Sequence, residues 1–112
     1  MVTKSKADAL DRLFTGLADP TRRAILSRLA RGEATVGELA EPFDMSRPAI
    51  SKHLDVLERA GLVHRIPDGR VNRCRFDGEP LRKAQALMQQ YQTYWEGQLD
   101  ALARYLQSEN DK

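Results

Sequence analysis

The chain has 112 residues, 41% hydrophobic and 30% charged, with a formal net charge of +2. That length suits one small domain, and that composition excludes a disordered polyelectrolyte or a collagen-like repeat. It holds no apolar run near the length of a membrane span, no signal-peptide h-region and a single cysteine, Cys74, which rules out an intrachain disulfide framework. These features predict a cytoplasmic, reduced protein with no membrane partner.

Residues 1 to 6 are polar and are expected to fray. From Ala7, the residues Leu10, Leu13, Phe14 and Leu17 recur at helical spacing and predict a short first helix ending near residues 16 to 18. Asp19 then suits an N-cap and Pro20 the first position of a second helix, whose buried face is Ile25, Leu26 and Leu29 and whose stop is Gly32. Arg22 and Arg23, at the start of that helix, are candidate phosphate clamps. Thr35-Val36-Gly37-Glu38 fits a capping box for a third helix, which Pro42 must keep short. Phe43 to Met45 makes the turn that follows.

Ser46 to Val63 is the stretch the other elements serve. Ser46 caps a fourth helix, Pro48 falls in its first turn, and Ile50, Leu54 and Leu57 form its buried face. At roughly 100° per residue, Pro48, Lys52 and Arg59 lie opposite Ile50, with Ser51 and Asp55 flanking them. A helix that is short-chained and basic near its start is what a recognition helix entering a major groove requires; the plainer alternative is an ordinary amphipathic surface helix. Two short helices joined by a tight connection, over residues 35 to 60, form the helix-turn-helix pattern.

Leu62 to Ile66 reads as a strand, Pro67-Asp68-Gly69 as a turn, and Val71 to Phe76 as a second strand. The hairpin, residues 62 to 77, carries Arg65, Arg70, Arg73 and Arg75 and so reads as a basic wing. Cys74, between two arginines, is expected to be half-buried. Residues 44 to 76 hold seven Arg or Lys (47, 52, 59, 65, 70, 73, 75) against four acids (44, 55, 58, 68), whereas residues 79 to 112 hold four against five. The positive charge sits in the middle third, as a local polyanion-binding surface requires.

Glu79 to about Gln107 predicts one long helix with an apolar stripe through Leu81, Ala84, Leu87, Met88, Tyr91, Trp95, Leu99, Leu102 and Leu106. At 1.5 Å per residue it would span about 40 Å, more than a domain of this size covers. The simplest solution is a homodimer in which the first and last helices of both subunits pack together. Leu10, Leu13, Phe14 and Leu17 from residues 7 to 18 would join Leu87, Tyr91, Trp95, Leu99, Leu102 and Leu106 from residues 79 to 107 at that interface. The alternative is a helix folded back on its own core.

The run LFTGLADPTRRAILSRLARGEATVGELAEPFDMSRPAISKHLDVLERAGLV resembles the ArsR-type winged helix-turn-helix repressors over about residues 10 to 77. DPTR-RAIL and S-x-P-A-I-S-x-H-L are its most specific segments, and YQTYWEGQLDALARYL is similar to a branch of that family that senses no metal. The resemblance implies a mostly α fold with a small β-hairpin, in the order helix, helix, helix, helix, strand, strand, helix. It also implies a homodimer that binds double-stranded DNA at a palindromic operator near its own promoter and represses transcription. Metal-sensing members carry a cysteine pair in an E-L-C-V-C-D-L pattern, where this chain has Thr35 and Gly37. Their second site, on the last helix, uses His and acids, and residues 79 to 112 contain neither His nor Cys. No metal and no cofactor is therefore expected, and no effector is assigned.

The candidate DNA contacts are Ser46, Arg47, Pro48, Ser51 and Lys52 on the recognition helix, with Arg70, Asn72 and Arg73 on the wing. Arg47 could fork onto a guanine edge, and Ser51 and Lys52 could reach a base or phosphate. His53 lies about 60° from the buried centre of its helix, so packing ranks first for it and phosphate contact second. The lack of any nucleophilic triad, phosphate loop or apolar carboxylate pair argues against an enzyme. The competing function is a protein-interaction module that uses the aromatic last helix.

Overall fold

The computed structural model describes residues 4–110. Helix α1 spans Lys4–Leu17, so it begins three residues before the predicted Ala7. Lysine is a good helix former, so Lys4 and Lys6 suit an earlier start; the expectation of fraying now concerns only residues 1 to 3, which lie outside the described residues.

Asp19 caps α2 (Pro20–Leu29) as expected, its Oδ2 accepting the Arg22 N–H at 3.0 Å. Ile25, Leu26 and Leu29 are buried. The helix stops earlier than Gly32 suggested: the Ala30 N–H bonds the Leu26 carbonyl at 2.8 Å, and Gly32 takes φ +148° in the loop beyond.

Ala34–Thr35 forms a short strand, β1, that two residues are too few to announce by alternation. Thr35 is extended (φ −80°, ψ 163°) because it is also the N-cap of α3 (Val36–Ala40). The capping box is complete, with the Glu38 N–H donating to Thr35 Oγ1 at 3.2 Å and the Thr35 N–H to Glu38 Oε1 at 3.1 Å. A 3₁₀ turn over Glu41–Phe43 and a left-handed Asp44 (φ 51°) lead into α4 (Arg47–Arg59).

Ser46 caps α4 by accepting the Ala49 N–H at 3.2 Å. Ile50, Leu54 and Leu57 are wholly buried. The helix closes on a Schellman motif, in which the Leu62 N–H reaches the Leu57 carbonyl at 3.0 Å and the Gly61 N–H that of Glu58 at 2.9 Å. Gly61 has the φ of +75° this motif requires.

Strands β2 (Val63–Asp68) and β3 (Val71–Phe76) form the hairpin. Its turn is Gly69-Arg70, because Asp68 still pairs with Val71. Pro67 and Asp68, expected in the turn, belong to the strand. β2 lies at the edge of an antiparallel sheet of order β1-β3-β2, where a missing N–H is tolerated. Gly69, at φ +65°, supplies the positive angle at the first loop position. The expected two-stranded hairpin is therefore part of a three-stranded sheet. Cys74 pairs with Ala34 on one side and Arg65 on the other, so it is fully buried rather than half-buried.

Leu13 is 2% exposed and belongs to the core with Ile25, Leu39, Ile50, Leu54, Leu57, Leu62 and Val63. It therefore leaves the set of expected dimer contacts: in an amphipathic helix of a small domain, the centre of the apolar stripe is taken by the chain's own core. A Cβ on Gly16, also in α1, would stand 3.5–3.6 Å from Leu57, Ala60 and Leu62.

The chain forms two compact units, one ending at Leu81 and the other beginning at Arg82. The second consists of the greater part of α5 (Glu79–Asn110), which is 32 residues long. Its start is held by Asp77, whose Oδ1 accepts the Glu79 N–H at 2.9 Å. Along α5, Tyr91, Tyr94 and Trp95 are 63–67% exposed, and Leu99, Leu102, Tyr105 and Leu106 are exposed as well. No helix among the described residues is long and apolar enough to cross a membrane.

Candidate nucleic-acid interface

The start of α4, the start of α3 and the tip of the wing meet around an open cleft of about 350 Å³. Arg47, Pro48 and Ser51 come from α4, Arg70, Val71 and Asn72 from the hairpin, and Thr35, Val36 and Gly37 from the α3 end; Arg65 closes one side. Of the residues the sequence singled out, Arg47, Pro48, Ser51, Arg70 and Asn72 are thus brought together. Ser46, the cap of α4, and Lys52 on it are exposed.

Gly37 and Arg65 also line the cleft, although neither is among the candidate DNA contacts read from the sequence. A Cβ on Gly37 would stand 2.9 Å from Arg47 Nη2, so the glycine is the floor on which that guanidinium rests. The available signal was a glycine inside a five-residue helix, where only a close approach justifies the entropic cost. Thr35 and Gly37 thus serve as a helix cap and a floor for Arg47.

Arg65 carries no sequence mark that separates it from its neighbours, yet it is held firmly. Its guanidinium donates to Ser51 Oγ at 2.9 Å, to Glu58 and to Asp55. Burial works to lower its pKa, and the Glu58 and Asp55 carboxylates outweigh that, so the net direction is upward.

Other predicted contacts are engaged elsewhere. His53 Nδ1 lies 3.4 Å from Arg22 Nη1 and 4.0 Å from Asp19 Oδ2, at the cap of α2 and away from the cleft. Its packing role is the one the geometry supports. Arg22 and Arg23 are not free as phosphate clamps: Arg22 donates to the Gly16 carbonyl at 3.1 Å and that of Thr15 at 2.7 Å, and Arg23 to that of Leu17 at 2.7 Å. Two cations satisfy the orphan carbonyls of the last turn of α1, where the helix dipole favours them. Arg73 donates to Asp68 Oδ2 at 3.3 Å and does not line the cleft. An exposed pair of this kind is weak. At the base of the wing His64 Nε2 pairs with Asp77 Oδ2 at 2.9 Å.

A helix-turn-helix whose second helix shares a cleft with an arginine-bearing hairpin defines a winged helix-turn-helix DNA-binding protein. Residues 17–66 match the helix-turn-helix domain family. The chain is 43% identical over 101 residues to the HTH-type transcriptional regulator Rv2034 of Mycobacterium tuberculosis, covering 90% of this chain and 92% of that one. A crystal structure of an ArsR family transcriptional regulator superposes with a TM-score of 0.78 at 44% identity, covering 86% of this chain and 97% of the other. The solution structure of a homodimeric winged helix-turn-helix domain from Mycobacterium bovis has a TM-score of 0.64 at 29% identity, with coverages of 83% and 88%. The chain belongs to the ArsR family of DNA-binding transcriptional regulators.

Proposed function

We propose that the chain is a cytoplasmic homodimeric repressor that binds a palindromic operator, each protomer laying the start of α4 in a major groove with the wing alongside. The observation that carries this reading is the cleft that gathers Arg47, Pro48 and Ser51 with Arg70 and Asn72. Arg47 would fork onto a guanine edge, and Lys52 would reach a base or phosphate. Ser46 would touch phosphate while capping α4. Arg70 and Asn72 would follow the backbone or the adjacent minor groove, and Arg73 would join them by exchanging Asp68 for a phosphate.

The dimer is supported by the exposed face of α5 and by the homodimeric relative. Tyr91, Trp95, Leu99, Leu102 and Leu106 are 51–64% exposed, a run of large apolar side chains of the kind that marks an interaction surface. Leu87 on α5 and Leu10, Phe14 and Leu17 on α1 would extend that interface. The competing reading gives the same aromatic face to another protein, with DNA binding secondary. It requires Arg47→Ala and Lys52→Ala to be neutral and Trp95→Ala alone to disable the protein.

Selection of bound fragments from genomic DNA with the purified protein tests the proposal. The expected product is a palindrome with half-sites about one helical turn apart, roughly 34 Å. Recovery of no preferred sequence would overturn it.

A further inference from the structure

Ser51, Asp55 and Glu58 stand on successive turns of α4, and all three converge on the guanidinium of Arg65 from β2. Nη1 donates to Ser51 Oγ at 2.9 Å, Nε to Glu58 Oε1 at 2.5 Å, and Nη2 to Asp55 Oδ1. The Arg65 side chain is 19% exposed and closes one side of the cleft that Ser51 shares with Arg47, Arg70 and Asn72.

Two consequences follow from elementary chemistry. A planar fork bonded to three turns of one helix fixes the roll of that helix against the sheet, which a single ammonium could not do. A serine hydroxyl has one proton and two lone pairs, while a guanidinium only donates. Arg65 therefore occupies a lone pair of Ser51 Oγ, and the hydroxyl proton, with no acceptor among the described residues, is left for the cleft.

We propose that Arg65 is a positioning residue for base recognition, holding α4 at one roll angle and presenting Ser51 as an outward donor. Ser51 then offers its proton to an acceptor on the major-groove edge, such as guanine O6 or N7 or thymine O4. This inference rests on the reading of α4 as the DNA-recognition helix.

The test uses the full chain, a duplex recovered by the unmodified protein from genomic DNA, and a scrambled duplex of the same composition. Arg65→Lys keeps the charge but loses the fork. It should lower the ratio of recovered to scrambled affinity roughly three- to tenfold, the range for one net hydrogen bond. Ser51→Ala should lower the ratio equally, and the double variant no further than either alone. Repeated selection with each variant should relax the same base-pair position in each half-site. An unchanged ratio in Arg65→Lys, losses that add in the double variant, or relaxation at different positions would overturn the inference. If Arg65→Lys does not fold, Glu58→Gln loosens the same clamp from its far end and should relax that same position; no relaxation there overturns the inference equally. Failure of the unmodified protein to prefer any duplex overturns the DNA reading itself, whereas a preference untouched by these variants overturns only the role of Arg65.

Discussion

The guanidinium of Arg47, on the first residue of α4, rests on Gly37 of α3, with Nη2, Cζ and Nε standing 2.9, 3.2 and 3.3 Å from where a glycine Cβ would be. Adding that methyl must displace the arginine, and the atoms displaced are the free end of a flexible side chain. Alanine is favoured over glycine inside a helix by about 0.5–1 kcal/mol. Gly37→Ala should therefore melt at the same or a higher temperature while discriminating less between operator and scrambled DNA. Thermal melts and binding titrations on the same preparation check both halves; a lower Tm or intact discrimination refutes the account.

Arg47 and Arg70 share a cleft, and the proposed function gives them different tasks. Loss of a forked base contact costs about 1–3 kcal/mol of discrimination, so Arg47→Ala should bring operator affinity toward the scrambled value. Arg70→Ala should weaken both duplexes alike and reduce the slope of log affinity against log salt by about one. Titrations at several salt concentrations separate the two patterns.

Leu13 and Trp95 were drawn toward the same interface by their spacing, and burial separates them. Leu13 is 2% exposed and Trp95 63% exposed in the single chain. Leu13→Ala should cost about 2–5 kcal/mol of stability, as core truncations do. Trp95→Ala combined with Leu99→Glu should leave the melt of the winged domain in place and shift sedimentation to the monomer, with loss of operator binding. A fully dimeric double variant would count against α5 as the dimer contact.

The acid limb of stability should come from helix caps. The Asp19 carboxyl is held below the usual carboxylate range by the Arg22 N–H, that of Glu38 by the Thr35 N–H, and that of Asp77 by the Glu79 N–H and then His64. With folded pKa values below the unfolded ones, the unfolded chain binds more protons at acid pH. The stabilisation is therefore complete above the ordinary carboxylate range and lost as pH falls through the folded values. Asp19→Asn keeps a capping oxygen and removes the titration, so its Tm should fall less steeply with acid than that of the unmodified chain. Parallel slopes would assign the acid limb elsewhere.

Much of this protein was legible in its sequence because the governing interactions are local. Asp19 to Arg22, Thr35 to Glu38 and Ser46 to Ala49 each close over three residues, and Ile50, Leu54 and Leu57 repeat on one helical face; such signals are complete within a single element. Helix α4, the capped helix before it and the arginine-bearing hairpin after it were all readable on that scale.

Tertiary structure alone decided what each arginine faces. Arg22 and Arg23 turn to the carbonyls of α1, Arg65 to an acidic stripe on α4, and Arg47 to the bare backbone of Gly37. The strand Ala34–Thr35 likewise exists only because Cys74, some forty positions on, lies beside it. A guanidinium has the same sequence signature whether it meets a phosphate, a carboxylate or a helix end. Local spacing selects the elements, and only their packing brings a charge to its partner.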